Sequence, residues 1–207
     1  MKVAIVNYGM GNLGSVRRAF EDIGVEAHVA NHPAEIYDAN RIVLPGVGAF
    51  KEGMDRLREA GWISVLDEVV TQQRKPLLGI CLGMQMLASE GYEGGVTKGL
   101  DLIAGKVQRL DTLGCTLRIP HVGWNEVRYR IHDALFDGIR EYSDFYFVHS
   151  FAFVPVAREH LMATTPYDCE VTAIIRKGNV FGCQFHPEKS SKAGRQLLKN
   201  FLSYAEC

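Results

Sequence analysis

The chain has 207 residues, of which 47% are hydrophobic and 23% are charged, and its 23 basic residues nearly balance its 24 acidic ones. This composition is typical of a globular protein with a sizeable core, and the near-zero net charge argues against a nucleic-acid surface. No apolar run approaches the roughly 18 residues that a membrane-spanning helix requires, and the N-terminus lacks the pattern of a secretory signal. We therefore predict one cytoplasmic domain over residues 1–207, with no nucleic-acid or membrane partner.

The first half of the chain alternates apolar runs with segments of helical periodicity. The run KVAIVNY, residues 2–8, shows no polar alternation, as expected for a strand covered on both faces. The alternation predicts a mainly parallel sheet with helices on both faces. Strands are predicted at 2–8, 25–31, 41–46 and 75–80, and helices at 12–24, 50–61, 63–73 and 82–90.

The second half is richer in short β-branched and aromatic runs, which predict additional strands beside the α/β core. We expect one domain with an elaborated β half, because no linker or repeat divides the chain. The predicted strands are GKVQRLD, CTLRIPHVG, NEVRYR, FYFVHSFAF, VTAIIRKG and VFGCQFHP, and the segment 192–205 predicts a closing helix.

The cysteines are odd in number, irregularly spaced and without a CxxC pair. They are Cys81, Cys115, Cys169, Cys183 and Cys207. This pattern argues against a disulfide framework and against a zinc site, and it favours a reducing compartment. For every cysteine except Cys81 we expect a structural, buried role, since free cysteine is among the most buried residue types.

A glycine-rich loop, GMGNLG at residues 9–14, follows the first strand and opens a helix. This is the context of a dinucleotide-binding fingerprint. The fingerprint also requires an acidic residue at the end of the second strand, where this chain has Asn31. A tight turn between strand and helix is therefore the preferred interpretation, and nucleotide binding remains the alternative.

Cys81 lies between two glycines in Gly79-Ile80-Cys81-Leu82-Gly83, where a predicted strand meets a predicted helix. This is the pattern of a nucleophile elbow, in which small neighbours permit a strained turn that exposes the nucleophile at the carboxyl end of the sheet. The helix start favours the reactive thiolate, and the N–H of Leu82 points to where an oxyanion would form. We predict that Cys81 is catalytic.

A thiol nucleophile needs a base, and the base needs a group that orients it. His186 is the best candidate, because it ends a strand in QFHPEKS and Pro187 stiffens the backbone. In an extended segment Glu188 would lie on the same side and could orient the imidazole. His121 and His149 have apolar neighbours, which predicts structural histidines.

Three motifs in this order resemble those of the class I glutamine amidotransferases: LPGVGAF at 44–50, LLGICLGMQ at 77–85 and QFHPEKS at 184–190. The resemblance extends over residues 2–203. It implies a flavodoxin-like α/β fold and a Cys-His-Glu triad of Cys81, His186 and Glu188 that releases ammonia from glutamine. It also implies that the chemistry uses no cofactor and no metal.

The same resemblance implies roles for residues around the triad. Backbone N–H groups of Val47, Gly48 and Leu82 would bind the oxyanion. Glutamine contacts would come from Gly46, Gln85 and the backbone of Ser150 and Phe151. Gln85 lies four residues after Cys81, so one helical turn brings it to the nucleophile's face.

Within that family, NYGMGNLGSV, PHVGWNEV and FYFVHSFAF are similar to the subunits that supply ammonia to a (β/α)8-barrel cyclase in histidine biosynthesis. The resemblance implies a heterodimer whose interface includes Trp124, Tyr146 and Lys189; the alternative for Trp124 is a core aromatic.

A second branch of the family is an alternative. The segment LASEGYEGGVTKGLDLIAGKV also resembles subunits that serve amidino-sugar formation in surface polysaccharides, and Phe151 stands where tyrosine is more usual. A non-catalytic scaffold is a third alternative, which the intact triad disfavours.

Overall fold

The computed structural model of the protein describes residues 1–204, so Cys207 and the last residue of the predicted closing helix lie outside it. The strands are β1 Lys2–Val6, β2 Glu26–Ala30, β3 Arg41–Gly46, β4 Leu77–Cys81, β5 Glu90–Gly91, β6 Thr97–Lys98, β7 Gly105–Arg109, β8 His121–Glu126, β9 Arg128–Tyr129, β10 Asp144–His149, β11 Phe151–Pro155, β12 Leu161–Tyr167, β13 Cys169–Lys177 and β14 Val180–Cys183. The α-helices are α1 Leu13–Glu21, α2 Phe50–Glu59, α3 Trp62–Asp67, α4 Leu82–Met86 and α5 Ser191–Ser203.

The central sheet has eight strands in the order β2-β1-β3-β4-β14-β13-β12-β9. The first five are parallel, and the last three continue the sheet in antiparallel pairing. The parallel part has the strand order of flavodoxin-like folds. The prediction of a mainly parallel α/β sheet with extra β elements is therefore confirmed.

Apolar residues cover both faces of this sheet. On β1, Val3 and Ile5 pack with α1 and α5, whereas Ala4 and Val6 pack with α2, α3 and α4. Every residue of β4 is buried. Because both faces are covered, the central strands need apolar side chains at consecutive positions, and the sequence has them.

Two smaller sheets lie in the second half: a ribbon of β8 and β10, and a sheet of β11, β7, β5 and β6. The segment FYFVHSFAF, predicted as one strand, is divided at Ser150. The part before Ser150 pairs with β8, and the part after it pairs with β7. Residues 115–120 of CTLRIPHVG are not in a strand, and β8 begins at His121. Pro120, directly before it, has no N–H to donate to a ladder.

The helix predicted at 82–90 ends at Met86. The carbonyl groups that would continue it instead accept hydrogen bonds from the segment 99–103: Leu100 N–H donates to Met86, and Asp101 N–H donates to Ala88. A distant part of the chain thus replaces the helical hydrogen bonds. Local propensity alone cannot reveal this competition.

The cysteine prediction was wrong for one pair. Cys115 and Cys169 form a disulfide across 54 residues of sequence, with 5.2 Å between their Cα atoms. The fold brings them together because the start of β13 lies beside the segment that follows β7. Their spacing in sequence gives no sign of this. Cys183 is free and buried, as expected.

None of the helices in residues 1–204 combines the length and apolar character that a membrane span requires. In the same residues, no group of three or more His, Cys, Asp or Glu side chains is arranged to hold a metal ion.

Candidate active site

Cys81 lies at the junction of β4 and α4 in a left-handed backbone conformation, with φ 53° and ψ −110°. A non-glycine residue adopts such angles only where its surroundings hold it there. A Cβ at Gly79 would lie 2.7 Å from the Gly83 carbonyl oxygen, and a Cβ at Gly83 would overlap the Leu44 carbonyl. The strained turn that the motif predicts is therefore present, and both glycines are required by close backbone packing. The predicted exposure of Cys81 was wrong, because its side chain is buried.

His186 and Glu188 form a buried pair, with 2.8 Å between Nδ1 and Oε1 and side chains that are 3% and 2% exposed. Residues 187–189 form a single 3-10 turn, not the extended segment that we predicted, and the turn still brings the two side chains together. Nε2 of His186 forms no hydrogen bond within residues 1–204. This nitrogen is therefore available to exchange a proton with a thiol.

Two opposing effects set the pKa of His186. Burial lowers it, but the hydrogen bond with Glu188 and the charges of Cys81 and Glu188 outweigh burial and raise the pKa to about 9. The imidazolium form is therefore favoured at neutral pH when Cys81 is a thiolate. A thiolate beside an imidazolium is the reactive form of a cysteine nucleophile.

The predicted oxyanion loop lies beside Cys81, because β3 pairs with β4 in the register Gly46 to Cys81. Behind the loop, the buried hydroxyl of Tyr8 donates a 2.8 Å hydrogen bond to the Pro45 carbonyl. Burial and the charge of Cys81 raise the pKa of Tyr8, which keeps this donor protonated. Gly46 is packed so closely that a Cβ there would overlap Tyr8 Oη.

The glycine-rich loop at residues 9–14 packs on this same segment. A Cβ at Gly48 would lie 2.7 Å from Met10 Cε, and one at Gly11 would lie 3.5 Å from Pro45. Gly11 and Gly48 also have positive φ, 138° and 107°. Gly11 and Gly48 are thus explained by their positive φ angles and by the packing of the loop against residues 45–48.

A cavity of about 300 Å³ opens beside Cys81. It is lined by Val47, Gly48, Cys81, Leu82, Gln85, Glu93, Pro120, Val148, His149, Ser150 and Phe151. Six of the seven residues predicted to bind the oxyanion or glutamine are in this lining. The exception is Gly46, which lies behind the loop. A larger cavity of about 470 Å³ beside α2 and α3 has neither cysteine nor histidine among the described residues that line it.

Polar side chains connect the nucleophile to the far wall of the cavity. Gln85 Nε2 donates to the Phe151 carbonyl at 2.9 Å and to Gln184 Oε1 at 3.0 Å. Gln184 Nε2 in turn lies 3.7 Å from Cys81 Sγ. Gln85 thus lies on the nucleophile's side of α4, where its spacing predicts it.

Sequence reasoning missed Glu93, Pro120, Val148, His149 and Gln184. Glu93 is the one carboxylate among the described residues that line the cavity, and its Oε2 accepts the Phe50 N–H at 2.7 Å. The QFH part of the histidine motif could have indicated Gln184. The others depend on loops and strand ends that meet only in the fold.

Trp124, Tyr146 and Lys189 come together on one surface. Trp124 and Tyr146 are paired across β8 and β10, with ring centroids 6.0 Å apart. Lys189 Nζ lies 5.7 Å from the Tyr146 ring. Trp124 is 55% exposed, so it is not a core aromatic. Tyr146 O also accepts the N–H of His186 at 2.9 Å, which joins this surface to the triad.

Comparison with known proteins identifies the family to which the chain belongs. The model of the class-I glutamine amidotransferase family matches residues 4–205. The chain therefore belongs to the class-I glutamine amidotransferases. Among solved structures, PurLQS from Thermotoga maritima superposes with a TM-score of 0.74 at 20% identity, covering 98% of both chains. A putative GMP synthase protein from Thermoplasma acidophilum gives 0.73 at 19% identity, covering 98% of this chain and 92% of that one. These two likenesses concern the fold alone.

The curated relatives are more specific. The chain is similar to the imidazole glycerol phosphate synthase subunit HisH of Moorella thermoacetica, with 48% identity over 96% of this chain and 93% of the relative. It is 47% identical to HisH 1 of Campylobacter jejuni, over 96% and 98% of the two chains. It is 43% identical to HisH 2 of Methanococcus maripaludis, over 98% and 100%. The chain is a member of the family that these HisH subunits form.

Proposed function

We propose that this chain hydrolyses glutamine to glutamate and ammonia with Cys81 as nucleophile, His186 as acid and base, and Glu188 as the group that orients His186. The observation that carries the proposal is a strained cysteine beside a cavity together with a buried histidine–carboxylate pair. This combination is the general requirement for a cysteine nucleophile. Neither a metal nor a cofactor is needed for such acyl transfer.

Each step follows from these residues. Cys81 Sγ attacks the carboxamide carbon, and the thiol proton resides on His186 Nε2. The C–N bond then breaks as His186 gives this proton to the leaving ammonia, which leaves a γ-glutamyl thioester. Water attacks the thioester with His186 as base, and glutamate leaves as the C–S bond breaks. The N–H groups of Val47, Gly48 and Leu82 hold the oxyanion in both steps.

The cavity suits glutamine. Gln85 and the backbone of Ser150 and Phe151 lie on its walls, and Glu93 suits the substrate's α-ammonium group because opposite charges pair well in a partly enclosed site. Gly46 has a revised role: it allows Tyr8 and Leu82 to pack behind the oxyanion loop.

The HisH relatives are named as subunits of imidazole glycerol phosphate synthase, and this supports a heterodimer. In this proposal the partner is a (β/α)8-barrel cyclase that uses the ammonia to convert the ribulosyl aminoimidazole carboxamide substrate PRFAR to imidazole glycerol phosphate and AICAR. Trp124, Tyr146 and Lys189 form the docking surface. Exposed aromatic residues beside a cation are typical of interface anchors.

The same proposal includes a cytoplasmic location, where amino-acid biosynthesis operates. Disulfides are rare in that compartment, so the Cys115–Cys169 bond offers a test. A reducing compartment should open this bond in the cell, so rapid alkylation of thiols in fresh cells, followed by mass spectrometry, should find both residues alkylated. Recovery of both residues in the disulfide form would contradict a reducing location.

The decisive experiment mixes the chain with a histidine-pathway cyclase, glutamine and PRFAR, and measures glutamate and imidazole glycerol phosphate together. We expect both products with the wild type and neither with Cys81→Ala. Glutamate without the cyclised product would retain the glutaminase and redirect the ammonia to amidino-sugar formation. Absence of glutamate under every condition would overturn the proposal.

A further inference from the structure

A chain of buried and partly buried hydrogen bonds crosses from β8 to the cavity. Asn125 Nδ2 lies 3.2 Å from His121 Nε2, and His121 Nδ1 lies 3.0 Å from His149 Nε2. His149 Nδ1 lies 2.8 Å from the Phe151 carbonyl oxygen. The glutaminase mechanism uses none of the three side chains, although His149 lines the cavity.

The directions of these hydrogen bonds are fixed by their two ends. A carbonyl oxygen only accepts, so His149 Nδ1 carries a proton. Burial lowers the pKa of His149 to about 3 and that of His121 to about 4, so both rings are neutral at pH 7. His149 Nε2 therefore accepts from His121 Nδ1–H, and His121 Nε2 accepts from the Asn125 amide. Each ring has one defined tautomer.

Neighbouring groups hold the chain in place. The His121 ring stacks between Phe147 and Tyr167, with centroid distances of 4.8 and 4.0 Å. Asn125 Nδ2 also donates to the Pro166 carbonyl at 2.6 Å. Neither side chain can rotate without losing these contacts, so a movement of β8 carries the chain with it.

The two ends of the chain face different parts of the molecule. The Phe151 carbonyl also accepts from Gln85 Nε2 at 2.9 Å, so the inner end shares its acceptor with a residue of the glutamine cavity. At the outer end, Asn125 follows Trp124 on β8, and successive side chains of a strand point to opposite sides. Trp124 accordingly faces solvent while Asn125 points inward.

We propose that Asn125, His121 and His149 are positioning residues, which link the Trp124 surface of β8 to the Phe151 carbonyl and so adjust the glutamine cavity when a partner binds that surface. The proposal rests on the function proposed above and deepens its regulation. A partner that shifts β8 shifts the donor to Phe151, and with it the position of Gln85. The expected consequence is a change in glutamine binding and turnover on partner binding.

The test reverses one hydrogen bond with little change in shape. Asn125→Asp replaces the donor toward His121 with an acceptor, so His121 must carry a proton on Nε2. At a pH at which the His121 ring is neutral, this tautomer no longer donates to His149. The matched control is Asn179→Asp: Asn179 is buried, and its Nδ2 donates to the carbonyls of Val70 and Lys75 far from the cavity. Both variants lose amide donors to backbone carbonyls.

Two readouts separate positioning from general destabilisation. We expect the stimulation of glutaminase activity by the cyclase to fall at least about 10-fold in Asn125→Asp, with a raised KM for glutamine, and to stay unchanged in Asn179→Asp. Nitrogen-15 NMR of the imidazole rings should show Nδ1–H tautomers of His121 and His149 in the wild type and an altered His121 in Asn125→Asp. If the aspartate variant does not fold, Asn125→Ala replaces it: alanine removes the donor to His121 Nε2 and so cuts the link to β8, and the same fall in stimulation is expected.

Equal stimulation in wild type and Asn125→Asp would overturn the inference while leaving the glutaminase function intact. Equal loss in Asn125→Asp and Asn179→Asp would also overturn it, because the effect would then be one of stability. If wild type with cyclase forms no glutamate, the proposed function fails and the inference falls with it.

Discussion

The two walls of the candidate site are held in different ways. On one side, the turn at Cys81 is fixed by backbone packing, because Gly79 and Gly83 leave no room for a Cβ. On the other side, the ribbon of β8 and β10 meets the cavity through side-chain hydrogen bonds, from His121 to His149 and on to the Phe151 carbonyl.

This difference has a physical consequence. A backbone held by direct contact has one position, whereas a wall held by a chain of hydrogen bonds can move as the outer strand moves. The nucleophile therefore lies on the rigid side, and the surface that contains Trp124 lies on the adjustable side. Each prediction below alters one of the two sides and asks whether the other remains unchanged.

The largest effect is expected from removal of the nucleophile. Cys81→Ala should lower glutaminase turnover by about 10⁴-fold or more, because no other group can form the thioester. The control is Cys183→Ala, which removes the second free, buried cysteine of residues 1–204, on the neighbouring strand β14. The measurement is glutamate release from glutamine with the cyclase present. Equal activity of the two variants would contradict the assignment of Cys81.

The rigid side can be broken without touching the thiol. Gly83→Ala places a methyl group against the Leu44 carbonyl and should lower the free energy of unfolding by about 3 kcal/mol. Gly14→Ala is the matched control: it lies in α1 with nothing within 4 Å of the added methyl, and should stabilise the protein by about 0.5–1 kcal/mol. Urea unfolding of both variants checks this, and equal stabilities would contradict the close packing at the turn.

The His186–Glu188 pair predicts a pH dependence. With a pKa of about 9, His186 remains an imidazolium until the pH rises through that value, so kcat/KM should fall above about pH 9. Glu188→Gln removes the carboxylate that raises this pKa. The alkaline limb should move to lower pH, and kcat should fall roughly 10²–10⁴-fold.

The raised pKa of His186 also makes the stability of the protein depend on pH. The folded pKa of His186 lies above the ordinary value of 6.5, so its contribution to stability is full below about pH 6.5 and is lost as the pH rises through 9. Glu188→Gln should flatten this dependence. The control is Glu59→Gln, at an exposed position of α2. If the free energy of unfolding depended on pH in the same way in both variants, the assigned His186–Glu188 pair would be refuted.

The parts of the site that the sequence predicted are those built from neighbouring residues. Gly79, Cys81 and Gly83 lie within one stretch of five residues, and His186 and Glu188 are two residues apart. In each group, local chemistry dictates the geometry. Similarly, the apolar runs of β1, β3 and β4 indicated central strands because a strand buried on both faces must be apolar throughout.

What the sequence could not show depends on contacts between distant residues. The division of FYFVHSFAF at Ser150 arises because its two halves find partners in different sheets. The Cys115–Cys169 bond and the linked His121 and His149 likewise join segments that only the fold brings together. Periodicity describes one segment at a time and carries no information on such pairings.

The smallest effect tests the support beneath the oxyanion loop. Tyr8→Phe removes the hydrogen bond to the Pro45 carbonyl and should cost about 1 kcal/mol of stability. Because this carbonyl precedes Gly46 and Val47, kcat should fall several-fold while KM for glutamine changes little. Tyr129→Phe is the matched control, since its hydroxyl donates to the Ile139 carbonyl at the opposite edge of the sheet. If both variants lose stability and only Tyr8→Phe loses kcat, the loop depends on Tyr8 for its position. If kcat is unchanged in both, the loop is held by backbone packing alone, and the rigid side extends from the nucleophile through the whole oxyanion segment.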